Sequence, residues 1–178
     1  FEIACHANGG MSLGVYRDTL DDEVGYLVKS AKVKFAYAED QEQVDKLINV
    51  QKKLKTKIKV IYDDPRGLEK LKNPNVINMK DLASVGKKQL DKNNKVYENL
   101  INKVSGETVS VLCTTSGTTS NPKLAMLPAN KFINHISNYL KVDPKSYLDE
   151  YVSVLPFPWI MEQTYGVGFN LLSGMKVN

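Results

Sequence analysis

Several functional classes are excluded by what the 178-residue chain lacks. Its two cysteines, Cys5 and Cys113, are far apart and in apolar contexts, so no disulfide framework can be built and a reduced, cytoplasmic setting with two buried thiols is expected. No apolar run approaches the roughly 20 residues of a membrane span, and no signal-peptide pattern opens the chain. The two histidines, His6 and His135, have no partner pattern for metal or nucleophilic work, and neither cysteine has a nearby histidine. Asp63-Asp64 before Pro65 has the look of a metal-binding tip, but at the end of a short strand an Asx-type turn is expected. There is no internal repeat, low-complexity tract or flexible linker. The chain opens on Phe1 rather than Met and stops at Gly174-Met175-Lys176-Val177-Asn178, which reads as mid-element, so a piece of a longer protein is expected.

What is present is ordinary for a folded domain: 42% hydrophobic and 25% charged residues, enough length for a sizeable core. The net charge of +4 is unevenly spread. Residues 105–178 hold only five basic and five acidic side chains, as a buried or ligand-facing region would. The densest basic run, Lys46 to Lys59, has no interleaved aromatics and reads as a solvated helix end and strand edge, not a nucleic-acid surface.

Short apolar runs alternate with amphipathic stretches. Leu13–Tyr16 reads as a strand, and Thr19 as the cap of a helix over Asp21–Lys32 behind acidic first-turn residues. Lys34–Ala38 follows as a strand, Asp40–Leu54 as a helix and Ile58–Tyr62 as a strand ending at Asp63-Asp64-Pro65. That rhythm predicts α/β architecture, with parallel-sheet layers and right-handed crossovers. A short strand at Asn75–Asn78 and one or two surface helices over Lys80–Val104, interrupted near Asp91–Lys95, are expected next. A further strand begins at Thr108 and runs into a hydroxyl-rich loop. Val152–Trp159 reads as a strand ending in a Pro-aromatic-Pro-aromatic turn, and Met161–Ser173 as a helix carrying Gly166 and Gly168, for which core packing is the simplest account.

The loop reads Thr114-Thr115-Ser116-Gly117-Thr118-Thr119-Ser120-Asn121-Pro122-Lys123. Backbone N–H groups and short hydroxyls can converge there on an anion, Gly117 permits close approach, and Lys123 adds a point charge. Pro122 stands where a Walker A loop needs glycine before its lysine, which disfavours a kinase or GTPase P-loop.

This segment resembles the phosphate-binding signature of the AMP-forming, adenylate-forming superfamily, which includes acyl-CoA synthetases, luciferases and peptide-synthetase adenylation domains. The commoner version has glycine where Ser120 and Leu124 stand, and the Ser-Asn-Pro-Lys form is similar to that of bacterial long-chain fatty acid:CoA ligases. The stretches Gly9–Tyr16, Asp21–Val24 and Tyr151–Gln163 resemble neighbouring family segments, so the likeness spans the chain.

The resemblance implies part of an acyl-CoA synthetase/luciferase-like N-terminal domain over 1–178, with a first α/β portion over roughly 1–104 and a phosphate-loop and acyl-pocket portion over 105–178. It implies ATP-dependent activation of a fatty acid to an acyl-adenylate and then an acyl-CoA, with ATP, Mg2+ and coenzyme A taking part. Thr114, Thr115, Ser116, Gly117, Thr118, Thr119, Ser120 and Lys123 would bind the ATP phosphates, and Trp159 and Gly166 the acyl substrate. Many long-chain relatives have Ala-His where Pro158-Trp159 stand. The family's Tyr-Gly-x-Thr-Glu and Thr-Gly-Asp segments and its C-terminal lysine are absent, so catalytic residues and most Mg2+ ligands are expected beyond Asn178, and these residues alone are expected to be inactive. The partners implied are small molecules, without nucleic acid; a long-chain substrate is compatible with peripheral membrane contact, although no amphipathic anchor stands out. Two alternatives stay open, a ligase of the same superfamily for another carboxylic acid and a non-catalytic nucleotide-binding or interaction module.

Overall fold

A computed structural model describes residues 1–115 and 122–178. In chain order the elements are α1 (Glu2–Ala7), β1 (Ser12–Leu13), α2 (Asp21–Ser30), β2 (Phe35–Ala38), α3 (Gln41–Leu54), β3 (Lys59–Tyr62), β4 (Val76–Asn78), α4 (Met79–Lys92), α5 (Val96–Ile101), β5 (Val109–Thr115), β6 (Lys123–Pro128), α6 (Ala129–Val142), β7 (Glu150–Tyr151), α7 (Ile160–Glu162), a π-helical run (Gln163–Phe169), α8 (Asn170–Ser173) and β8 (Lys176–Val177). They form two compact units, Phe1 with Arg17–Glu98, and Glu2–Tyr16 with Asn99–Asn178.

The first unit is a parallel three-stranded sheet, β2-β3-β4, with Ala36 opposite Val60 and Val60 opposite Val76. The helix α3 starts where Asp40 accepts the Gln43 N–H at 3.1 Å, satisfying one of the orphan donors of its first turn. Val50 of this helix packs with Val24 and Val28 of α2 and with Ile58 in one cluster, and Val44 with Ala38 of β2, Val60 of β3 and Leu68 in another. Thr19 does not cap α2. Leu20 holds that position without a side-chain bond, and the Thr19 carbonyl instead accepts from Lys46 Nζ at 2.9 Å. Three acidic residues, Asp21, Asp22 and Glu23, complement the helix dipole in place of a cap. The expected Asx turn is present, with Asp64 Oδ1 accepting the Arg66 N–H at 3.0 Å. The Arg66 guanidinium, bonded to the same carboxylate, holds it below the usual range.

In the second unit β1 pairs parallel with β5, and β5 antiparallel with β6. The antiparallel β6 and the helix α6 behind it were not expected from the sequence, because β6 (Lys-Leu-Ala-Met-Leu-Pro) is short and lacks period-2 alternation. Ile136 of α6, Phe169 and Met175 make the core, surrounded by Phe132, Tyr139, Leu140, Tyr151 and Tyr165. The strand expected over Val152–Trp159 is confined to Glu150–Tyr151, which pairs with β8. Pro156 and Pro158 lack the N–H donors a longer ladder needs. Cys5 and Cys113 are free and only half-buried. Burial first, and the Glu2 carboxylate second, push both thiols up.

Candidate functional site

The strand β5 carries buried Ser110, Val111 and Leu112 and emerges through half-buried Cys113 and Thr114 to exposed Thr115. Antiparallel pairing brings the two ends of the hydroxyl-rich segment side by side. Thr114 lies opposite Leu124 and Thr115 opposite exposed Lys123, whose carbonyl accepts from Thr115 Oγ1 at 3.5 Å. Ser116, Gly117, Thr118, Thr119 and Ser120 fall outside the described residues. No acidic residue occurs in the sequence between Thr108 and Val142, a stretch that holds the hydroxyl-rich segment and Lys123.

The second group of residues surrounds the segment 152–159, which has no helix or strand. It is nevertheless held at several points. The Ser153 N–H donates to the Asn178 carbonyl at 2.9 Å, Gln163 Nε2 donates to the Phe157 carbonyl at 3.0 Å, and Pro158 lies against Gly14. Its apolar side chains Val152, Val154, Phe157 and Trp159 stay exposed. Trp159, 45% exposed, occupies the N-cap of α7 and is not buried at the strand-to-helix junction.

Gly166 sits in the π-helical run, where the ladder is loosened by one residue. A β-carbon there would stand 2.5 Å from Glu162 Oε1. Gly168 is closed in the same way by Ile136 of α6, which agrees with core packing for both glycines. Glu162 is 2% exposed. One oxygen accepts from the Tyr151 hydroxyl at 2.7 Å and the other from Ser153 Oγ at 2.6 Å. Burial first, then the Glu162 bond and charge, push the Tyr151 phenol up to about 12. Glu162 was missed in the sequence. The signal for it was the polar triplet Glu162-Gln163-Thr164 in a helical run beside a glycine, all three of which are buried.

The whole chain, residues 1–178, matches the protein family described as AMP-binding enzyme. The chain belongs to that family. Its fold is likewise that of adenylate-forming, luciferase-like enzymes. The chain superposes on VinN in complex with L-aspartate at a TM-score of 0.69 and 17% identity, covering 99% of this chain and 39% of that one. It superposes on the luciferase-like enzyme from the nonluminescent Zophobas morio mealworm at 0.70 and 13%, covering 99% and 37%. Among curated proteins it is 28% identical over 174 residues to long-chain-fatty-acid–CoA ligase 1 of Cavia porcellus, covering 91% of this chain and 24% of the relative. It is 26% identical over 174 residues to long-chain-fatty-acid–CoA ligase ACSBG1 of Rattus norvegicus, covering 95% and 23%. The chain thus spans about a quarter of the length of these curated relatives.

Among the described residues, no group of three or more His, Cys, Asp or Glu side chains is placed to hold a metal ion. No helix among them is long and apolar enough to cross a membrane.

Proposed function

We propose that this chain is part of the N-terminal domain of a cytoplasmic, ATP-dependent long-chain fatty acid:CoA ligase, and that it supplies the phosphate-binding hairpin and one wall of the acyl site. The observation that carries the reading is the hairpin itself, a hydroxyl-rich segment held between β5 and β6 with Thr115 opposite Lys123. In the reaction a carboxylate oxygen attacks the α-phosphorus of ATP as the bond to pyrophosphate breaks, and the coenzyme A thiol then attacks the acyl carbon and displaces AMP. Pyrophosphate leaves with several negative charges, and preorganised donors that meet that charge lower the barrier. Thr114, Thr115 and Lys123 would provide such donors, together with Ser116, Gly117, Thr118, Thr119 and Ser120. Mg2+ would be held mostly by residues outside this chain. Trp159 would face the acyl substrate with its exposed ring, and Gly166 would act through the Glu162 carboxylate it admits.

The test is Lys123→Ala in the full-length ligase. Adenylation, followed as pyrophosphate release, should fall by about 10²-fold, the size typical of losing one preorganised charge-stabilising donor. Thiolation of a supplied acyl-adenylate should stay within about twofold; loss of both half-reactions together would refute the phosphate role. A panel of acids of graded chain length reads out the substrate, and preference for a short or amino-bearing acid would replace the long-chain assignment.

A further inference from the structure

The first unit carries a cationic groove that the ligase reading leaves unused. Because β2 and β3 are parallel neighbours, the turns leading into them from α2 and α3 lie at the same edge of the sheet. The Lys59 N–H ties the two together by donating to the Lys34 carbonyl at 2.9 Å. Here lies a groove of about 460 Å³ whose lining includes Lys29, Lys32, Lys34 and Lys57 and, among the described residues, no carboxylate. All four lysines are exposed, and among the described residues none forms an ion pair. The adjoining cleft carries Asp21 and Asp22, of which Asp22 already pairs with Lys53 at 3.2 Å. Helix ends account for only part of this charge. A helix C-terminus carries the equivalent of about −0.5 elementary charge, so α2 and α3 together offset about one of the four cations. The turns also have few amide donors to give. The N–H groups of Lys32, Val33 and Thr56 bond to the carbonyls of Lys29, Val28 and Gln51, and that of Ile58 to Gln51 Oε1 at 2.8 Å. A small anion would find no nest of backbone donors, only ammonium groups on flexible stems around an open groove.

We propose that this edge of the first unit is an electrostatic docking surface for an anionic membrane, with Lys29, Lys32, Lys34 and Lys57 meeting lipid phosphates. The inference is independent of the ligase reading. Long ammonium stems conform to a fluid array of phosphates without a fixed geometry, which is what the groove offers. Each lysine held near such a surface contributes about fivefold to partitioning, so four suffice for reversible association without a spanning helix. Leu54, exposed at the end of α3 and part of the same lining, supplies an apolar contact beside them. A nucleic acid suits the groove less well, because stacking of bases needs aromatic side chains and none lines it.

The experiment is co-sedimentation of the full-length protein with phosphatidylcholine vesicles and with vesicles in which about one third of the lipid is phosphatidylglycerol. Binding should be confined to the anionic vesicles and fade as salt rises to about 1 M, where the Debye length falls to about 3 Å. The combined variant Lys29→Gln, Lys32→Gln, Lys34→Gln, Lys57→Gln should lower partitioning by about 10²-fold or more. An equal loss of charge on α4, by Lys80→Gln, Lys87→Gln, Lys88→Gln and Lys92→Gln, should lower it by less than about threefold, the effect of net charge alone. Equal binding to neutral vesicles, or equal loss in the two combined variants, would overturn the proposal. So would release from the vesicles by inorganic phosphate at constant ionic strength, which would assign the groove to a small anion. Tighter binding to single-stranded RNA or polyaspartate than to anionic vesicles would likewise replace the membrane with another partner. Should the first combined variant fail to fold, Lys32→Gly carries the test. Lys32 has φ 51°, which glycine adopts without strain, so the turn is kept while partitioning should drop about fivefold; no drop would overturn the proposal.

Discussion

Gly14 and Pro158 touch so closely that a β-carbon on Gly14 would stand 2.5 Å from Pro158 Cα. The residue just after β1 thus abuts the backbone at the far end of the segment 152–159, and a backbone atom cannot swing aside as a side-chain tip can. Gly86, in the middle of α4, is the opposite case, with nothing within 4 Å of the same added atom. Gly14→Ala should cost about 1–3 kcal/mol through overpacking. Gly86→Ala should gain up to about 1 kcal/mol from helix propensity. Urea unfolding of the two variants against wild type reads both signs in one experiment.

Tyr151 should ionise well above the ordinary range of a tyrosine. Its folded-state value of about 12 lies above the ordinary phenol value near 10. The folded protein therefore favours the neutral phenol, and that contribution to stability is complete below about pH 10 and is lost as pH rises through 12. Phenolate difference absorbance should show one group titrating near 12. In Glu162→Gln the negative charge is gone but burial remains, so this group should titrate between 10 and 12. A titration indifferent to residue 162 would show that burial alone sets it.

Phe169 is fully buried and packs its ring on Tyr165 and Tyr139 at centroid distances of 5.0 and 5.5 Å. Phe169→Ala should cost about 3–5 kcal/mol, the range for emptying an aromatic site in a core. Phe1 also touches an aromatic ring, that of Tyr37 at 5.6 Å, but is 47% exposed. Its truncation should change the unfolding midpoint far less.

Trp159 offers a test of substrate contact. Because it is 45% exposed, Trp159→Ala should leave stability within about 1 kcal/mol. In the ligase reading its loss should raise KM for long acids more than for short ones. Equal effects across chain length would remove Trp159 from the acyl wall.

Much of the first unit could be read from the sequence because its determinants are local. The alternation of Phe35–Ala38, the periodic apolar face of Gln41–Leu54 and the run Lys59–Tyr62 each carry their own signal, and Asp40 caps the helix it precedes. The second unit was less legible. Ser12 pairs beside Val111 and Val109 across from Pro128, and such partnerships leave no mark in either short strand. The hydroxyl-rich segment was visible as a string of residue types. Its framing by an antiparallel pair was not.

By itself the sequence determined the α/β class, most elements of the first unit, and a hydroxyl-rich segment whose order of residues marks its family, because helix periodicity, turn residues and side-chain chemistry are written in adjacent positions. Only the tertiary structure decided that Thr115 stands opposite Lys123, that Trp159 is exposed, and that Glu162 is buried between Tyr151 and Ser153. Those facts depend on which distant surfaces exclude water from one another. A glutamate reads as a solvated charge until the hydroxyls that desolvate and satisfy it are brought around it by the fold.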